Sequence, residues 1–227
     1  MSDTIEVSTS GRRSFLGQLA ARAAAGAGVL GLAGMLVHPA TLDAEATDEP
    51  SADPERWLDG LKGKHRQVVD AYTANDGFPL GFAHNFLATQ TAGQTAGAVV
   101  VLRHFAMPIA VGHDIWRRYK VGESFKIMDP ATKAPAVKNP YYKPTPGLLL
   151  ADDMALDRLL QRNVIVGACA VALQVISGML AGNAGVSKEA AATEWKAALI
   201  PGVVLLPSGV WGVNRAQEKG CTYCAGG

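Results

Sequence analysis

Asn163-Val-Ile-Val-Gly-Ala-Cys-Ala-Val-Ala-Leu173 is the stretch whose reading decides the fold. Val164, Ile165 and Val166 are β-branched residues in a row and read as a buried strand. Small residues and then an Ala/Leu-rich run follow, so the apolar pattern passes from strand to helix within a few positions. The hinge falls on Cys169. A cysteine at such a junction sits close to unpaired backbone N–H groups and the positive end of the helix dipole, which favour the thiolate over the thiol. Two readings of Cys169 stand side by side: a soft nucleophile or sulfur carrier, and a small buried hydrophobe, since free cysteine is among the most buried residue types.

The strand-to-helix alternation extends outward in both directions. Gln67-Val-Val-Asp-Ala-Tyr72 is a first short strand, ended by the turn signal Asn75-Asp76-Gly77. The spacing predicts a helix over residues 79–91, with Leu80, Ala83, Phe86 and Leu87 on one face. Ala98-Val-Val-Val-Leu102 is the second strand, and a run so continuously apolar implies burial on both faces, as in a parallel sheet. Helices are predicted over residues 109–119 and 152–161. Between them, the prolines at 130, 135, 140, 144 and 146 make an extended or looped segment able to lie over a site. After Cys169 a helix runs to about residue 180, and Ser187 opens another. Pro201-Gly-Val-Val-Leu-Leu206 is the next buried strand, and Pro207-Ser208-Gly209 turns into a last helix through Gln217.

Strands separated by helices predict a single three-layer α/β domain, with a mostly parallel sheet of about five strands and helices on both faces. Ligands of such sheets lie at the carboxyl ends of the strands. Those ends carry Asp70, Arg103, His104, Cys169 and Ser208. Gly167, Ser208 and Gly209 mark a helix-cap or anion-binding loop, with Ser208 as the cap of the last helix.

A composition of 48% hydrophobic and 18% charged residues is that of one globular unit. The formal net charge of +1, without a run of Lys or Arg, argues against nucleic-acid binding. Three cysteines are too few for a disulfide scaffold. The N-terminus reads as an address: Gly11-Arg12-Arg13-Ser14-Phe15-Leu16 resembles a twin-arginine export signal, although Gly11 and Gly17 depart from its usual residues. The apolar run from Ala23 to Val37 is shorter than the roughly 20 residues that span a bilayer, and Ala44-Glu45-Ala46 supplies an A-x-A-like cleavage site. Residues 1–46 are therefore expected to be a signal, with membrane contact only through that segment if it is uncleaved. Residues 47–63 are expected to be a linker or arm, and export to the periplasm or an equivalent compartment follows. Gly26-Ala-Gly28-Val-Leu-Gly31 matches a dinucleotide fingerprint in letters only, because no strand precedes it.

Val99-Val-Val-Leu-Arg-His104, Trp116-Arg-Arg-Tyr-Lys-Val-Gly-Glu123, Gly167-Ala-Cys-Ala-Val-Ala-Leu173 and Pro201-Gly-Val-Val-Leu-Leu-Pro-Ser-Gly209 together resemble the DsrE/DsrF-like sulfur-relay family, over most of residues 65–217. The resemblance implies an α/β domain over residues 64–218 that forms homo- or hetero-oligomers. It also implies that Cys169, at the end of the third main strand, carries sulfane sulfur as a persulfide between donor and acceptor proteins. Arg103 would stabilise the anion and His104 would assist proton movement. Relay members are typically cytoplasmic, whereas this chain carries an export-like segment.

A tail over residues 219–227 holds Cys221-Thr-Tyr-Cys224, and C-x-x-C serves as a redox disulfide, half a metal site or a structural clip. Ala225 in place of His disfavours c-type haem, and a closed zinc site lacks a second C-x-x-C. In an oxidising compartment a Cys221–Cys224 disulfide in a mobile tail is the plainer outcome; no cofactor is firmly implied, and a metal at these two thiols is the lesser alternative. His113-Asp114 reads as a helix surface, and Trp116, Tyr119, Trp195 and Trp211 as core or subunit-contact aromatics. Ser208 lacks the first glycine of G-x-S-x-G, which argues against a hydrolase. The function expected is an exported sulfur carrier acting through Cys169; the alternative is a non-catalytic periplasmic module binding a small ligand or metal, with Cys221 and Cys224 as its handle.

Overall fold

Each β-branched run becomes a strand because its side chains find apolar partners on both sides of one sheet. The computed structural model describes residues 54–90 and 95–227. Strands β1 (His65–Ala71), β2 (Ala96–Leu102), β3 (Ile165–Cys169), β4 (Val203–Leu206) and β5 (Thr222–Ala225) pair in the order β4-β3-β2-β1-β5. Every pairing is parallel. The helices are α1 (Phe78–Ala88), α2 (His113–Arg118), α3 (Val121–Phe125), α4 (Leu156–Gln161), α5 (Ala170–Ala184), α6 (Lys188–Ala197) and α7 (Gly209–Glu218). The expected three-layer α/β domain is the one that forms.

Strand order dictates which face each helix covers. From β1 to β4 the chain steps across the sheet in one direction, and right-handed crossovers then put all the intervening helices on one face. Val69, Val100, Leu102, Val166 and Ala168 point to that face, against Leu80, Trp116, Leu159, Leu173 and Trp195. The step from β4 to β5 runs the other way, so α7 covers the opposite face. There Val68, Val99, Val101 and Leu206 meet Val213 and Ala216 of α7.

Several expected boundaries move. Residues 54–63 are not a free arm: Trp57 and Leu58 are buried in the α7-side core. Trp57 packs on Gly167, whose added Cβ would lie 2.9 Å from the indole and 2.4 Å from Leu206. The helix expected over 109–119 breaks into the 3-10 segment His104–Ala110 and α2. Val111 is extended and bridged to Leu199, and the Gly112 N–H donates to the Ala198 carbonyl at 3.0 Å. The helix expected over 152–161 divides at Ala155, where ψ is 143° and the following N–H of Leu156 donates to Tyr141. Residues 219–227 are not a loose tail, because Thr222–Ala225 completes the sheet beside β1. The export-like segment 1–46 lies outside the described residues.

The proline-rich segment does stay without regular structure between α3 and the 3-10 turn Asp152–Met154. Asn139 pins it: its side-chain amide donates to the carbonyls of Ile109 and Val111, both at 2.9 Å, while its oxygen accepts from Tyr141 N–H. If Trp57 belongs to the core, Trp57→Ala should lower unfolding free energy by about 3–5 kcal/mol, as for a large aromatic removed from a packed interior. Urea denaturation would read this, and an unchanged midpoint would return the segment to the status of an arm.

Candidate functional site

The carboxyl ends of β1, β2 and β5 are tied by one carboxylate. Asp70 is the penultimate residue of β1, with its side chain only 5% exposed, a placement that requires a partner. Arg103, the residue after β2, supplies it bidentately, through Nε to Oδ1 at 2.6 Å and Nη2 to Oδ2 at 2.8 Å. The Tyr223 hydroxyl on β5 donates to Oδ2 at 3.0 Å. The guanidinium also lies over the Tyr72 ring, 5.4 Å from its centroid. The bond to Asp70, opposed by burial, raises the Arg103 pKa further above its ordinary value, with smaller contributions from Tyr223 and Cys169. Leu102 of β2 lies opposite Ala168 of β3, so Arg103 and Cys169 follow at neighbouring strand ends.

Cys169 ends β3 and caps α5. Its Sγ accepts the Ala172 N–H at 3.3 Å, and no acidic residue stands in the first turn of this 15-residue helix. The residue is 6% exposed and packs with the larger core. Chain connections leaving β3 and β4 go to opposite faces, so the crevice characteristic of open α/β sheets falls between Cys169 and Ser208. Ser208 caps α7 as expected, its Oγ accepting the Trp211 N–H at 3.3 Å. Gly209 begins α7 directly over Arg103: a Cβ there would lie 2.4 Å from the arginine Cβ. Gly167, in contrast, is not part of an anion-binding loop. It lies inside β3, where it makes room for Trp57 and Leu206.

His104 is exposed, in the left-handed region at φ 51°, with its ring edge-on to Phe105 at 4.5 Å. The structure therefore unites Asp70, Arg103, Cys169 and Gly209, and sends His104 toward solvent. Tyr72 and Tyr223 were not anticipated. The β-favouring run Thr222-Tyr-Cys224 was the available signal for the latter, hidden by the glycines around it.

Cys221 and Cys224 are free thiols on opposite faces of the sheet. Cys221 belongs to the α7-side core, whereas Cys224 packs against the larger one. Residues three apart on a strand point opposite ways, so they do not form the expected disulfide and present no shared pair of metal ligands. Burial pushes the Cys221 thiol up to about 11 and raises that of Cys224 as well.

No protein-family model and no curated protein matches the chain. Among solved structures, it is similar to a protein of unknown function from Methanobacterium thermoautotrophicum, at 14% identity and a TM-score of 0.40, over 71% of this chain and 99% of that one. The resemblance to the DsrE/DsrF-like family accordingly rests on the sequence stretches alone, and none of these comparisons shows membership.

Replacing Asp70 with Asn should cost about 1–3 kcal/mol, because a charge-assisted bidentate contact becomes a neutral one. Chemical denaturation would measure the loss, and an unaltered stability would mean that solvent already satisfies Arg103. For Cys221 the folded pKa is raised, so its stabilising contribution is complete below the ordinary thiol range and is lost as pH climbs through about 11. Iodoacetamide at neutral pH should accordingly label Cys221 far more slowly in the native than in the unfolded protein, and equal rates would contradict its burial.

Proposed function

We propose that this chain is a sulfane-sulfur carrier, with Cys169 as the sulfur-bearing residue. The observation that carries the proposal is the seat of its Sγ: it caps a 15-residue helix and takes a backbone N–H at 3.3 Å, and Arg103 stands at the neighbouring strand end. The first turn of that helix presents its unpaired backbone N–H groups toward this atom. The Cys169 thiolate attacks the outer sulfur of a donor R–S–SH. A new S–S bond forms at Cys169, the donor S–S bond breaks, and R–S⁻ leaves with the bonding pair. The product is Cys169–S–SH, which loses its proton to solvent; no net oxidation occurs and no added oxidant is needed. Attack by an acceptor thiolate on the outer sulfur reverses the step and regenerates Cys169.

Two features shape the reaction. The low exposure of Cys169 favours a slender sulfane donor over a bulky one. Asp70 and Tyr223 hold Arg103 in place, so the guanidinium is oriented before sulfur arrives. His104, exposed beside Phe105, would pass protons to water rather than to a buried base. Val171, Val175 and Met179 leave an apolar stripe exposed on α5, which supports the self-association implied by the family resemblance. The twin-arginine-like segment supports an exported carrier. The alternative, a binding module with Cys221 and Cys224 as a joint handle, is weakened by their placement on opposite faces.

Intact mass of the protein, purified anaerobically after exposure to a sulfane donor, tests the reading. An adduct of about +32 Da is expected on the wild type and not on Cys169→Ser. An adduct that survives the substitution, or none on the wild type, refutes the carrier role of Cys169.

A further inference from the structure

A cavity of about 320 Å³ lies beyond the carboxyl ends of β1 and β2. It is built from pieces that the sulfur chemistry does not use. Asn75 and Asp76 come from the turn after β1, and Phe105 from the segment after β2. Phe125 and Lys126 come from the end of α3, and Tyr141 from the proline-rich segment pinned by Asn139. Its volume is at the small end of the ~300–1,000 Å³ typical of small-molecule sites, which suits a ligand built on one ring rather than a dinucleotide.

The walls are aromatic and the rim carries both signs of charge. The Phe105 and Phe125 rings stand 5.7 Å apart at 52°, and Tyr141 closes the floor. Burial first, and then the charge of Asp76, raise the pKa of the Tyr141 phenol, and both residues line the cavity. Lys126, exposed at the end of α3, lines the same cavity. Asp76 and Lys126 form no ion pair with each other or with any other described residue. Opposite charges on one cavity that do not neutralise each other leave a complementary pair of positions open to a ligand.

The backbone is also held unusually here. Asn75, Asp76 and Lys126 are left-handed, at φ 39°, 50° and 55°, and His104, adjoining Phe105, is at 51°. Half of the left-handed non-glycine residues in the described chain therefore line or adjoin this one cavity. Such conformations are strained for residues with a side chain and collect at ligand clamps and active sites.

We propose that this cavity binds a small aromatic zwitterion of the size and chemistry of an aromatic α-amino acid. The ring packs against Phe105, Phe125 and Tyr141, the ammonium group pairs with Asp76, and the carboxylate pairs with Lys126. Aromatic packing supplies most of the affinity, and the two charges supply the selection for a molecule bearing both.

Isothermal titration of the full chain tests this with L-phenylalanine and L-tryptophan, set against phenethylamine, which lacks the carboxylate, and 3-phenylpropionate, which lacks the ammonium group. Saturable binding of at least one amino acid is expected, with each truncated probe roughly tenfold weaker. Asp76→Asn should remove the advantage of phenylalanine over 3-phenylpropionate, and Lys126→Gln its advantage over phenethylamine. Both side chains are exposed, so neither change threatens the fold. The proposal is overturned if no probe binds at millimolar concentration, if the truncated probes bind as tightly as the amino acids, or if both substitutions leave the preferences unchanged.

Discussion

The handedness of the parallel crossover is the constraint on which the molecule depends. With the strands ordered β4-β3-β2-β1-β5, three crossovers advance and one returns. Right-handedness then assigns α1 through α6 to one face and α7 to the other. A small domain with this order has a thick helical layer on one side and one helix, aided by Trp57, on the other. It also has one place where neighbouring strands send their chains apart, between β3 and β4. Cys169 and Ser208, the caps of the two diverging helices, stand at that place.

The thinner layer has to lie close to the sheet, and glycine permits it. Gly167 in β3 admits the Trp57 indole, and Gly209 lets the first turn of α7 rest on the stem of Arg103. That contact leaves the guanidinium between helix and sheet, partly desolvated and in need of a carboxylate. Asp70 satisfies it, and Tyr223 satisfies part of Asp70 in turn. A buried ion pair adds little net stability over an apolar alternative, but removing one member leaves the other exposed to the full desolvation penalty. The cluster is better understood as fixing positions: it locks the ends of β1, β2 and β5 together and holds a cation beside Cys169. The cavity beyond β1 and β2 uses the same end of the sheet with other residues, so the proposed sulfur site and the proposed ligand site occupy one edge without sharing side chains.

Much of this was legible in the amino-acid order, where the physics is local. β1 to β4 announced themselves as short apolar runs rich in β-branched residues, β2 as one too apolar for anything but a two-sided sheet, and Ser187 and Ser208 as helix caps three residues before the N–H groups they accept. Cys169 at a strand-to-helix junction was visible for the same reason. Where neighbours in space are distant in sequence, reading failed. Thr222–Ala225 is short and largely exposed, and becomes a strand only because β1, some 150 residues earlier, offers an unpaired edge. Trp57 follows an acidic, proline-containing stretch and is core only because Gly167 leaves a vacancy opposite it. The helix expected over 109–119 broke because Val111 and Gly112 found partners at Leu199 and Ala198.

The sequence by itself determined the fold class, the caps and the set of residues at the carboxyl ends of the strands, because propensity, periodicity and capping act within a few residues of the chain. Tertiary structure alone decided which of those residues meet. It paired Arg103 with Asp70 rather than with a free anion, turned His104 outward, and separated Cys221 from Cys224 across the sheet. It also gathered Asp76, Phe105, Lys126 and Tyr141 around one cavity. Those outcomes depend on strand order and on which face each crossover takes, and neither is written into any short stretch of the chain.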